Sequence, residues 1–215
     1  MLILQILSIN SSTIYQKIMK ILQINKYPYI KGGADVVFFQ TIDLLKQHGH
    51  KVYTLTINDP KSIIKENAFY ANYLEIREDS FWGKIKSVPN FFYNKSAAKE
   101  LEKVIIKEKP DIAQIHLLFN GISLSILPVL KKYKIPVIYT VHDTRLLCPS
   151  SSIWLKGQLC NNCYKRRFIN CFNHKCYQNS RINSFMTMLE MIHKEFIFNY
   201  FKFIDKYIFI SNNYM

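Results

Sequence analysis

Apolar positions along the chain switch back and forth between a two-residue and a three-to-four-residue period. The run KILQIN at residues 20–25 has strand length and leads through residues 26–30 to Gly32 and Gly33, which predicts a first strand closed by a turn. Val36, Val37, Phe39, Leu44 and Leu45 then recur at helical spacing until His48-Gly49-His50, and residues 51–57 alternate as a second strand. Ala97, Leu101, Val104 and Ile105 predict a helix that Lys109-Pro110 ends before a strand at residues 111–116. Residues 122–133 predict the next helix and Ile135-Pro136 its turn. The β-branched run 137–141 is then a strand that delivers His142-Asp143 at its C-terminal end. Ile182, Phe185, Met186, Leu189, Ile192, Phe196, Ile197, Tyr200, Phe201 and Ile204 predict one long amphipathic helix, followed by a last strand at residues 206–210. Residues 59–94 are less regular and end in a basic aromatic segment, FWGKIKSVPNFFYNK, where Pro89 breaks any continuous helix.

Strand and helix in alternation predict an α/β fold: a Rossmann-like, mainly parallel sheet with helices on both faces. The motif ILQI occurs at residues 3–6 and again at 21–24, and residues 1–18 are expected to be an extension outside the core. The domain then runs over residues 19–215, with a cysteine-rich insertion at 148–176.

Composition narrows the classes. A chain of 215 residues with 49% hydrophobic content can bury the core of one domain. The most apolar candidate span, residues 196–210, is broken by Asn199, Lys202, Asp205 and Lys206, and the first residues carry no basic group before their apolar run. A cytoplasmic location follows as the expectation. The formal charge of +14 calls for anionic partners. Its basic residues are spread along the chain without a nucleic-acid module, so an anionic membrane face is the expected partner and nucleic acid is not. The sequence KGGADVV supplies neither the spacing nor the three glycines of a dinucleotide loop.

Chemistry is expected where parallel strands end, since loop amides and helix N-termini gather there. Gly32 and Gly33 follow the first strand, and read either as a tight turn or as a loop that lets a ligand approach the backbone. His116 ends the strand IAQIH before Asn120 and Gly121, and His142 with Asp143 ends VIYTV. A histidine there either satisfies a local hydrogen bond or, beside a carboxylate, orients hydroxyls at a cleft. Cys148, Cys160, Cys163, Cys171 and Cys176 crowd one segment; Cys160 and Cys163 have the spacing that places two thiolates on one metal ion. Four of the five would complete a structural zinc site, with His174 a substitute ligand. The alternative is a reduced hydrophobic cluster.

MKILQINKYPYIKGGADVVFFQTIDLLKQHGHKV, KPDIAQIHLLFNGIS, IPVIYTVHDTRLLCPS and FIDKYIFISNNYM together resemble the N-terminal half of family 4 retaining glycosyltransferases, from about residue 19 to 215. The cysteine block from CPSSSIW to HKCYQNS is similar to a subgroup that builds bacterial capsule, O-antigen or exopolysaccharide. The resemblance implies one half of a GT-B fold that receives a glycan or lipid-linked acceptor, while a second domain, not found in this sequence, holds a nucleotide-sugar donor. Carried over, Gly32 and Gly33 line the cleft near the donor phosphates, His142 sits beside the transferred sugar with Asp143 supporting it, and His116, Asn120 and Ser211 occupy matching substrate-binding positions. No catalytic metal is implied. Alone, the half is expected to be inactive. A noncatalytic binding module or truncated relic with a structural zinc loop is the alternative. Phe81, Trp82, Phe91, Phe92 and Tyr93 with Lys84, Lys86 and Lys95 read either as a peripheral attachment to the inner membrane face or as a core-facing aromatic set with solvated lysines.

Overall fold

The computed structural model describes residues 17–72, 92–119 and 121–211. The main elements are β1 (Lys20–Ile24), α1 (Gly33–Gln47), β2 (Lys51–Ile57), β3 (Ala68–Ala71), α2 (Lys95–Glu108), β4 (Ile112–Ile115), α3 (Ile126–Lys132) and β5 (Val137–Val141). They continue with β6 (Trp154–Leu155), β7 (Gln158–Leu159), α4 (Ile169–Asn173), α5 (Arg181–Ile192) and β8 (Lys206–Phe209). Six strands form one sheet in the order β3-β2-β1-β4-β5-β8, and every neighbouring pair is parallel. The order reverses direction between β1 and β4, the place where a doubly wound sheet opens a crevice at its C-terminal edge.

Strand alternation splits the side chains between two faces. Leu22, Ile24, Leu55, Ile57, Ala113, Ile115, Val137 and Val141 meet Leu101, Val104 and Ile105 of α2 and Ile126, Leu127 and Leu130 of α3 in the main core. On the other face Phe38 and Ile42 of α1 pack against Val52. The parallel sheet covered on both sides is therefore as the β-α alternation predicted.

Three local readings need correction. β3 lies within the stretch that periodicity left irregular, since a four-residue strand is too short to show a period. α3 begins at Ile126 rather than four residues earlier. Ser123 is in the left-handed region at φ 68°, and its hydroxyl accepts from the Asn94 N–H at 2.8 Å while the Ser125 hydroxyl donates to the Asn94 carbonyl at 2.6 Å. Those bonds tie the segment to the start of α2 instead of to a helix of its own. The long helix also breaks: α5 ends at Ile192, a π-helical turn spans His193–Phe198, Asn199 enters the left-handed region at φ 50°, and a 3-10 turn covers Tyr200–Phe203. Asn tolerates that conformation better than most residues. Phe198, Tyr200 and Ile204 keep facing the core across the break, so the apolar spacing conceals it.

The expected extension at residues 1–18 lies outside the described residues except for Lys17 and Ile18. Most of the aromatic basic segment, including Phe81, Trp82, Lys84, Lys86 and Phe91, also lies outside them. Asn94, within that segment, caps α2: its side chain accepts from the Ala97 N–H at 3.1 Å and donates to the carbonyls of Asn72 and Gly121. Among the described residues no helix is long and apolar enough to cross a membrane.

Candidate active site

At the C-terminal edge of the sheet a cleft of about 200 Å³ is walled by Lys26 and Tyr27 after β1, His116, Leu117 and Phe119 after β4, and Tyr139, His142, Asp143 and Arg145 at and after β5, with Tyr177 just after the insertion. The site thus straddles the β1/β4 reversal. Residue parity explains its histidines. Ala113 and Ile115 face the main core, so His116 points to the α1 face, where it is 1% exposed and meets the Phe38 ring edge-on at a centroid distance of 5.4 Å.

The two histidines touch. His116 Nδ1 lies 3.0 Å from His142 Nε2, with ring centroids 5.2 Å apart and planes inclined by 26°. His116 Nε2 lies 3.0 Å from Gln23 Oε1. Gln23 Nε2 donates to Gln114 Oε1 at 2.9 Å, and Gln114 Nε2 donates to Thr140 Oγ1 at 2.9 Å. A hydrogen-bonded row therefore crosses β1, β4 and β5 beneath α1 and ends at the cleft. His142 Nδ1 is buried there without a hydrogen-bond partner. Burial, then the neighbouring His142, pushes His116 down to about 3. His142 is also lowered, by burial, with Asp143 and Asp35 opposing. Both imidazoles are neutral near neutral pH.

A buried charged group supports the far wall. Arg145 reaches Glu190 at 3.3 Å and lies 5.6 Å from the Phe119 ring centroid. Lys194, 1% exposed, donates to the Arg145 carbonyl at 2.8 Å and sits 5.1 Å from the ring centroids of Phe119 and Tyr200. The π-helical turn widens the backbone enough to carry this lysine inward. Burial lowers Lys194 to about 8 and raises Glu190, the latter against Arg145, Lys194 and Lys26.

The sequence profile of Glycosyltransferase Family 4 matches residues 31–212. The chain belongs to glycosyltransferase family 4. It is also 31% identical over 143 residues to a protein from Klebsiella pneumoniae described as an uncharacterized 42.6 kDa protein in the cps region; the match covers 61% of this chain and 38% of that relative's length.

Within this family 4 domain the predicted residues fall into three groups. His116, His142 and Asp143 meet in the cleft, and one Asp143 oxygen caps the turn that follows by accepting from the Arg145 N–H at 2.9 Å. Gly32, Gly33 and Ser211 follow strands on the same edge but do not wall that cleft, and Asn120 lies outside the described residues. Gly32 is the N-cap of α1 at φ −160°, an extended conformation open to any residue, and a Cβ at either glycine would meet nothing within 4 Å. The fold itself therefore does not demand glycine there. The Asp35 carboxylate holds the loop instead, accepting from the N–H groups of Lys31 and Gly32 and from Asn25 Nδ2.

The third group is the thiols. All five cysteines and His174 line one separate cavity of about 470 Å³, walled otherwise by Leu146, Ile153, Leu155 and Phe168 among others. Burial, then neighbouring cysteines, pushes Cys163 up to about 11; burial and Cys176 push Cys171 up to about 12. Among the described residues no three His, Cys, Asp or Glu side chains are placed to hold a metal ion.

Sequence reading missed Lys26, Tyr27, Arg145 and Tyr177, whose types are common in any surface loop. It also missed Gln23, Gln114 and Thr140, for which a signal existed: amides in the middle of KILQI and IAQI interrupt strands that a doubly covered parallel sheet normally keeps apolar.

Proposed function

We propose that this domain is the acceptor-receiving half of a retaining GT-B glycosyltransferase that builds a bacterial cell-surface polysaccharide such as capsule, taking a sugar from a nucleotide-sugar donor held by a donor-binding half. The observation that carries the reading is the His116–His142 contact opening into a cleft with Lys26, Tyr27 and Arg145 at the β1/β4 reversal of a family 4 domain. A neutral histidine with a vacant buried nitrogen suits a sugar hydroxyl, and the cations beside it suit an acceptor phosphate. Gly32 and Gly33, which the fold does not require, leave the α1 N-terminus open to the donor diphosphate. The cps-region relative supports the polysaccharide assignment. Transfer activity is then expected only together with the donor-binding half.

A lipid-linked acceptor fits the surface of the insertion. Residues 146–189 contain the exposed Lys156, Lys165, Arg166, Arg167, Lys175 and Arg181 and no Asp or Glu. Leu147, Trp154, Leu159, Tyr164 and Ile182 are exposed in the same stretch. Apolar side chains among cations match an anionic bilayer surface. For the thiols we propose a structural zinc held by Cys160, Cys163 and two of Cys148, Cys171 and Cys176, drawn inward on binding.

The test is titration of the isotope-labelled chain, followed by NMR, with a prenyl-diphosphate sugar and separately with nucleotide sugars. The acceptor analogue is expected to shift the His142 and Tyr177 resonances, and Arg145→Ala to abolish the shift. Shifts from nucleotide sugars alone, with none from the acceptor analogue, would overturn the assignment.

A further inference from the structure

The row of polar side chains beneath α1 is directional. Gln114 spends an amide hydrogen on Thr140 Oγ1 at 2.9 Å, so its oxygen is the acceptor facing Gln23. Gln23 gives an amide hydrogen to that oxygen, which turns its own oxygen toward His116 Nε2 at 3.0 Å. An amide oxygen only accepts, so the His116 hydrogen must sit on Nε2. His116 is neutral, which leaves Nδ1 as a lone pair, and the nitrogen 3.0 Å from it, His142 Nε2, must therefore carry a hydrogen. His142 is neutral as well. Its remaining nitrogen, Nδ1, is then a bare acceptor, and it is the nitrogen that is buried at the cleft without a partner.

We infer that Thr140, Gln114, Gln23 and His116 are positioning residues that fix His142 as its Nε2–H tautomer, so that the group received at His142 Nδ1 is a hydrogen-bond donor, such as a sugar hydroxyl, and not a phosphate oxygen. None of the four needs to touch substrate for this except where His116 borders the cleft. The row is sealed: Gln23 and Thr140 are 0% and 2% exposed, and Gln114 and His116 are 8% and 1% exposed. Water therefore competes little for its bonds. Reversing both amides would run the same bonds backwards and leave an N–H on His142 Nδ1. A buried N–H without an acceptor is a rarer and costlier arrangement than an acceptor without a donor, which favours the order given. The depressed titration of His116 supports the neutral state that the chain of donors requires.

The nature of the ligand rests on the proposed function, whereas the tautomer does not, so the experiment reads the tautomer in substrate-free protein. In ¹⁵N-histidine spectra of the full chain at neutral pH, His142 is expected to show a protonated Nε2 and an unprotonated Nδ1, and His116 the same. Gln23→Leu removes the acceptor while keeping the volume, and is expected to leave His142 as a mixture of both tautomers with the far-UV spectrum unchanged. Thr140→Val, at the far end of the row, provides a milder variant in which the same change appears in smaller measure. A protonated Nδ1 on His142 in the unaltered chain would overturn the inference even if no variant folded. An unchanged single tautomer in Gln23→Leu would overturn the role of the row. A failed titration with the acceptor analogue alongside the expected spectrum would instead count against the proposed function alone.

Discussion

The sheet and the cysteine-rich insertion that follows β5 are stabilised in different ways. In the sheet, regular strands and helices satisfy their own backbones, and the side chains of the polar row satisfy one another up to a single nitrogen. The insertion and its flanks between β5 and α5 have two short strands, two three-residue 3-10 turns and one five-residue helix. They also hold Ser151, Lys156, Lys165, Arg166, Lys175, Gln178 and Asn179, seven of the twelve non-glycine residues in the left-handed region among the described residues. Each such residue costs on the order of 1 kcal/mol or more when it is not Gly or Asn. The insertion's Phe168 packs with Met188 and Met191 of α5, which is little to offset that strain. The frame thus holds its own bonds, while the insertion has few packed side chains to set against its backbone strain.

The largest effect should come from breaking the frame. Ile115 is fully buried in β4, and Ile115→Ala is expected to cost about 2–5 kcal/mol in a single global transition. Phe168→Ala in the insertion should leave that transition nearly in place and expose residues 151–181 to limited proteolysis. Chemical denaturation of both variants beside protease digestion checks this. A Phe168→Ala loss as large as that of Ile115→Ala would show one cooperative unit and undo the contrast.

Next in size is the metal. If zinc supplies what the insertion lacks, elemental analysis should find about one zinc per chain, and a chelator should open the insertion to protease without unfolding the sheet. Because Cys163 and Cys171 hold their protons until about 11 and 12, binding must release protons and weaken as pH falls. Metal-free protein with an already protected insertion would return the reading to a reduced thiol cluster.

The frame was far more legible in the sequence than the insertion, for a physical reason. β2 and β5 coincide with residues 51–57 and 137–141 because apolar period and β-branching act locally. His142 was found because a strand's end is visible in its pattern. The polar row was not, since Gln23 and Gln114 are brought together across 91 residues by strand register. Asn199 hides inside an unbroken apolar spacing. In the insertion, the composition CNNCYKRR says which atoms are available, but the shared cavity depends on tertiary closure that no period records.

A smaller effect separates the two regions by pH. The His116 imidazole takes up a proton near 6.5 when the chain is unfolded but only near 3 in the folded protein. Between those values the unfolded state binds more protons, so stability falls as pH is lowered, by up to about 1.4 kcal/mol per unit. His116→Gln should flatten that slope in denaturation curves taken across the window. An unchanged slope would place the acid sensitivity elsewhere than the polar row.

The smallest expected effect is at Gly32, and its smallness is the point. An added Cβ would meet nothing within 4 Å and the backbone at φ −160° accepts any residue, so Gly32→Ala should change stability by less than about 0.5 kcal/mol. Gly121→Ala provides the contrast within the same edge: its Cβ would come within 3.0 Å of Lys26 Cγ and press that cleft side chain aside. If Gly32 is there for a ligand, Gly32→Ala should leave the melting curve unchanged and weaken transfer in the presence of the donor-binding half by raising KM for the nucleotide sugar. Gly121→Ala should instead disturb acceptor binding through Lys26. Unaltered kinetics in Gly32→Ala would reduce the glycine pair to a turn and confine the proposed ligand contacts to the histidine end of the cleft.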